Sequence, residues 1–221
     1  MEVRFRPWVA GAAAVAGLGM LLIPGEALAQ EGGLSIEARA GVVVSTPLVE
    51  GTAVLPTDPT RGQEFEAVPA VAPLLVVAGR TALERGLALE VSAGWTFGRL
   101  EGQQGGETWD AGTLGVGHAV LALRQRLGER FHVRGGVGVI GYRSDTGVFG
   151  GADRVRPLAE AGGGADLALG GARVSVTALG QAHPFGSVAL RDGRGSGTQG
   201  ADGVVYRFAL QVGVTLLEGA R

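Results

Sequence analysis

From Leu34 onward, apolar residues alternate with polar or small ones along eight stretches of the chain. The clearest is Val204 to Leu216. Tyr206, Phe208, Leu210, Val212, Val214 and Leu216 share one parity; Arg207, Ala209, Gln211, Gly213 and Thr215 share the other. Period two sends successive side chains to opposite faces, so this is a strand with one apolar and one polar face. The same pattern predicts strands over Leu34 to Val44, Leu87 to Leu100, Phe131 to Tyr142, Leu158 to Leu169 and Arg173 to Ala182. Ala70 to Leu83 reads as a strand that is apolar on both faces until Arg80, and Thr113 to Leu127 as one whose upper half has blurred parity.

The connections alternate in length. Glu84-Arg85-Gly86, Gly128-Glu129-Arg130 and Gly170-Gly171-Ala172 are tight turns, while 45–69, 101–112, 143–156 and 184–203 are long, Gly-rich or Pro-containing loops. Glycine accepts the positive φ that a two-residue turn demands. An even number of strands with short turns at one end and long loops at the other is the pattern of a membrane β-barrel. A strand in lipid must be fully paired, because each free backbone N–H or C=O there costs several kcal/mol, so the sheet has to close. The expected fold is all-β: an eight-stranded antiparallel up-and-down transmembrane β-barrel over residues 30–221, preceded by a signal peptide over residues 1–29.

Two polarities compete. In a soluble, lipocalin-like barrel the apolar parity points inward and the charges meet water. In a membrane barrel the apolar parity meets lipid. The lumen then holds Glu37, Arg39, Arg80, Glu90, Arg124, Arg126, Arg134, Glu160, Asp166, Arg173 and Arg207, with Gln211 and Thr215. Both signs are present, so such residues can pair across a narrow interior. Glycine and alanine on the same parity suit an eight-stranded barrel, whose inside has room for side chains and little else. Aromatic residues near strand ends (Trp95, Phe97, Tyr206, Phe208 and Phe131) favour the membrane version, as an interfacial girdle would.

The leader points the same way. Arg4 and Arg6 precede an apolar run from Val9 to Ile23, and Ala27-Leu28-Ala29 is a small-x-small signal that sets cleavage between Ala29 and Gln30. The alternative is an uncleaved anchor helix, for which the run is short. The chain has no Cys, which excludes a lipid-modified N-terminal cysteine and any disulfide framework. Many of its 41 glycines fall inside the alternating segments rather than in polar low-complexity tracts. Net charge is −2 and no basic patch stands out, so no nucleic-acid partner is expected.

The leader, the eight alternating segments, the three tight turns and the closing Y-R-F-A-L-Q-V-G-V-T-L together resemble the small outer-membrane β-barrel proteins of Gram-negative bacteria, the OmpX/OmpA-transmembrane-like group. The resemblance spans Gln30 to the C-terminus. It implies residence in the bacterial outer membrane, contact with its lipid and lipopolysaccharide, insertion by the barrel-assembly machinery, and a monomer. Members of that group often end on an aromatic residue; this chain ends L-L-E-G-A-R.

Chemistry is harder to find. His118-Ala-Val, His132-Val-Arg and His183-Pro-Phe offer no serine at the spacing of a lipid-modifying envelope enzyme. No His pair or H-E-x-x-H motif marks a metal site. Asp58, Glu64 and Glu66, or Asp145 and Asp153, read as solvated loop carboxylates rather than a calcium site. No catalytic residue, cofactor or metal is therefore expected. The expected role is a non-enzymatic barrel that supports the envelope or meets an unidentified partner through its outer loops. A lipid A hydrolase or acyltransferase and a narrow pore are the alternatives.

Overall fold

The computed structural model describes residues 33–54, 62–104, 106–144, 155–169, 171–185, 189–192, 195–198 and 203–218. The expected signal peptide and its Ala29/Gln30 junction lie outside the described residues, as do Asp58, Asp145 and Asp153. The described residues form twelve strands: β1 (Leu34–Ser45), β2 (Val49–Val54), β3 (Gly62–Pro69), β4 (Ala72–Ala82), β5 (Leu87–Gln104), β6 (Glu107–Leu127), β7 (Phe131–Ser144), β8 (Arg156–Leu169), β9 (Ala172–Phe185), β10 (Ala189–Asp192), β11 (Gly195–Thr198) and β12 (Gly203–Glu218).

Eight of them close a ring in the order β5-β4-β1-β12-β9-β8-β7-β6, with β6 pairing back to β5. Every pair is antiparallel. The first and last strands are joined from Ser35↔Glu218 to Ser45↔Arg207, which is what removes the free edges. The expected eight-stranded antiparallel barrel is the fold observed. Its three tight turns use left-handed backbone at Arg85 (φ 57) and Gly86 (φ 76), Gly128 (φ 69) and Gly171 (φ 86). Close approach of neighbouring strands explains one interior glycine. A Cβ on Gly138 would lie 2.0 Å from the carbonyl oxygen of Ala119 on β6.

The long connections differ from expectation. Residues 101–112 are not a loop. β5 and β6 continue as a paired hairpin as far as Gln104↔Glu107. The alternation there was hidden by a bulge: Leu100 pairs with Gly112 and Glu101 with Asp110, so Ala111 is an extra residue in β6. One inserted residue flips the face of everything beyond it. Trp109 and Leu114 consequently both turn toward the interior, although they are an odd number of residues apart. The blurred parity of Thr113 to Leu127 has another origin: inward-facing Leu114, Val116 and Val120 are themselves apolar. The 45–69 segment contains the β2–β3 hairpin, and 184–203 contains β10 and β11. β3 also pairs with the upper part of β5, Phe65↔Gln104 to Pro69↔Leu100. On the loop side the wall thus rises above the barrel as paired strands.

Candidate functional site

β12 shows why the interior is where function must be sought. Leu210 and Val212 are 52% and 49% exposed on the outer surface, whereas Arg207 and Gln211 on the opposite parity are 3% and 2% exposed. The same holds around the ring. Val42, Val77, Leu121, Leu123, Val137 and Val139 are exposed, while Glu37, Arg39, Glu90, Arg124, Arg134 and Glu160 are buried. Phe97, Tyr206 and Phe208 are exposed toward the loop end and Phe131 toward the turn end. A soluble barrel would carry the reverse polarity. Only a surround of hydrocarbon rewards this one, because apolar area gains nothing by facing water and buried charge loses hydration.

This is an outer-membrane-type β-barrel. No protein-family model matches the chain, and no curated protein matches it. Similar solved structures include the surface protein NspA of Neisseria, at 11% identity over 83% of this chain and 97% of that one, with a TM-score of 0.44. OprG, an outer-membrane protein of Pseudomonas aeruginosa, aligns at 12% identity over 82% and 95%, with a TM-score of 0.49. The outer-membrane protease OmpT of Escherichia coli aligns at 12% identity over 83% and 93%, with a TM-score of 0.34.

The lumen has two layers. Toward the tight turns it is ionic. Glu90, 0% exposed, lies 2.9 Å from Arg39 and 2.8 Å from Arg134. Glu37 accepts from Arg39 at 3.2 Å, and also from Arg80 and the Ser175 hydroxyl. Arg124 holds Asp166 at 2.6 Å and approaches Glu90 at 3.8 Å. Arg134 reaches Glu160 at 2.5 Å, and the Gln181 amide donates to Glu160 at 2.7 Å. The web therefore runs unbroken from β1 through β4, β5, β6, β7, β8 and β9. Antiparallel neighbours place these groups by register alone: Arg80↔Glu90 and Arg124↔Arg134 are ladder partners, and Glu160 sits opposite Gln181.

Toward the loops the lumen is apolar. Leu48, Ala67, Leu100, Leu114, Val116, Ile140, Tyr142, Leu158 and Val205 form one buried cluster, and Val43, Ala72, Leu74, Val76, Leu179 and Ala209 a second. Reading the polar parity as uniformly luminal missed this layer. The signal was present in Ala70 to Leu83, which is apolar on both faces because one face meets lipid and the other meets this upper core.

Of the residues expected in the lumen, Glu37, Arg39, Glu90, Arg124, Arg134, Glu160 and Arg207 are buried, and Asp166 is half-buried. Arg173 and Arg126 share the inward parity but are exposed. Each stands at the turn end of its strand, where the inward parity opens to water. His132, on the inward parity beside Arg134, joins the web: it lies 2.9 Å from Arg124 and 3.5 Å from Asp166 through Nδ1, with the Thr177 hydroxyl 3.4 Å from Nε2. Asp166, His132 and Thr177 stand in the order of an acid–base–nucleophile relay. The contacts are long, and Thr177 is 1% exposed, walled in by the ionic layer, so no substrate carbonyl reaches its hydroxyl. His183 sits in the apolar layer, its Nε2 2.5 Å from the Tyr142 hydroxyl. Among the described residues, no three His, Asp or Glu side chains gather to hold a metal ion.

Proposed function

We propose that the protein is a non-enzymatic outer-membrane barrel that reinforces the envelope and presents its outer hairpins to a surface partner. The observation that carries this reading is the ionic web. Carboxylates, guanidiniums and the Gln181 amide, most of them linked at 2.5–3.2 Å and with Arg80 joined to Glu37, tie seven of the eight walls together. A catalytic site or a water-filled path needs mobile, accessible polar groups; these are fixed and buried. The hairpin of β5 and β6 and the β2–β3 hairpin give the loop end a rigid paired surface, and rigid scaffolds with exposed loops are the usual setting for recognition. Membrane fractionation with heat-modifiable gel mobility tests the barrel and its location. Purified protein reconstituted in lipopolysaccharide-containing vesicles tests the role: lipid A should emerge chemically unchanged. Release of an acyl chain would instead establish the lipid-modifying alternative.

A further inference from the structure

The barrel wall is interrupted along the seam between β1 and β4. β1 pairs with β4 as far as Val43↔Ala72, and β2 pairs with β3 from Val49↔Ala67. Between these, 44–47 and 68–71 make no ladder pair with each other, although each stays bonded on its other side. Val44 and Ser45 pair with Phe208 and Arg207, Pro69 pairs with Leu100, and the Ala70 N–H donates to the Arg99 carbonyl at 2.9 Å. The result is a slot in the sheet. Pro47 and Pro69 lie in it, and a proline leaves no N–H to be stranded in lipid. A small cavity runs inward from the slot, bordered by Val44, Pro69, Ala70, Thr96, Tyr142 and Arg207.

Arg207 is the second observation. It is 3% exposed, yet no carboxylate lies within 4 Å of it among the described residues. Its guanidinium donates only to neutral acceptors, Gln181 Oε1 at 3.0 Å and Thr96 Oγ1 at 3.3 Å. The nearby Glu160 is already engaged by Arg134 and Gln181. A buried cation without a counter-charge is costly, and a guanidinium matches a carboxylate bidentately.

We propose that this cavity receives the carboxylate head of a single-chain amphiphile, a fatty-acid-like molecule whose tail leaves through the slot into the outer leaflet. The head completes Arg207 as Glu90 completes Arg39 and Arg134. The slot lies at the right depth: Val44 is the ladder partner of Phe208, one of the exposed aromatics near the loop end, so it opens where polar heads meet hydrocarbon. Val44 and Val71 are exposed apolar residues at its lips. The cavity is too small for a sugar or for a second chain. The inference needs the barrel in a bilayer but does not depend on the envelope role proposed above.

The test uses the full chain folded into nanodiscs, with carboxyl-¹³C-labelled dodecanoate as the probe and its chemical shift as readout. Saturable binding near one equivalent per barrel is expected, at least tenfold tighter than dodecanol or acetate. Arg207→Gln and, separately, Ala70→Phe, which fills the slot while leaving Arg207 in place, should each weaken binding about tenfold or more. No saturable binding, acetate binding as tightly as dodecanoate, or unchanged affinity in either folded variant would overturn the proposal. If neither variant shows the folded gel band, the comparison of dodecanoate with dodecanol and acetate on the wild-type chain decides it alone.

Discussion

Glu90 stands at the centre of the ionic layer, held by Arg39 and Arg134 and faced by Arg80 and Arg124. Removing one member of a buried charge cluster costs more than the cluster is worth, because its partners stay behind without compensation. Glu90→Ala should therefore destabilise the folded barrel by about 3–5 kcal/mol. Urea titration in detergent, scored by the heat-modifiable band, measures this. Arg126→Ala, at an exposed position on the same parity, should shift stability by no more than about 0.5 kcal/mol. Equal effects at the two sites would mean that the web is not what holds the interior. On the other face, Leu210→Arg puts a charge against hydrocarbon and should cost about 2–4 kcal/mol near the bilayer midplane. If this outer face met water instead of lipid, the same substitution would be nearly silent.

At the scale of strands, closure depends on how closely β6 and β7 approach. Gly138→Val would drive a side chain into the backbone of Ala119 and Val120, and backbone cannot move aside as a flexible side chain can. We expect this variant to lose the folded gel band at a temperature where the wild type keeps it. The β6 bulge is a separate device. Inserting one residue between Leu100 and Glu101, opposite Ala111, would restore a regular ladder and turn Trp109 from the interior to the outside, exposing the top of the apolar core. The barrel below it, paired from Leu87↔Gln125 up to Leu100↔Gly112, has no reason to change.

For the molecule as a whole, the two ends differ in kind. The turn end carries three tight turns above an ionic layer; the loop end carries paired hairpins above an apolar one. An epitope inserted after Gly106, in the exposed turn of the β5–β6 hairpin, should bind antibody on intact cells. The same epitope after Gly128 should bind only after permeabilisation. The reverse pattern would invert the topology. The ionic layer also predicts electrical silence. In planar bilayers the wild-type chain should show no steady conductance, because a bridged lumen of this size leaves no continuous water path. A stable open channel that changes with Arg134→Ala would refute this.

What the sequence settled alone was everything carried by period two: eight strands, their apolar outer face, the tight turns, and most of the charges that point inward. Alternation is a local property, and a strand reports it without knowing its neighbours. Three things needed the closed structure. The bulge at Ala111 was invisible because polar residues on both faces of a solvated hairpin leave no parity to break. The apolar upper lumen was invisible because valine facing lipid and valine facing a core look the same in a list of residues. The exposed position of Arg173, the contacts of His132 with Arg124 and Asp166, and the neutral partners of Arg207 were set by register and strand ends. These decide which groups meet across a barrel only after all eight walls are in place.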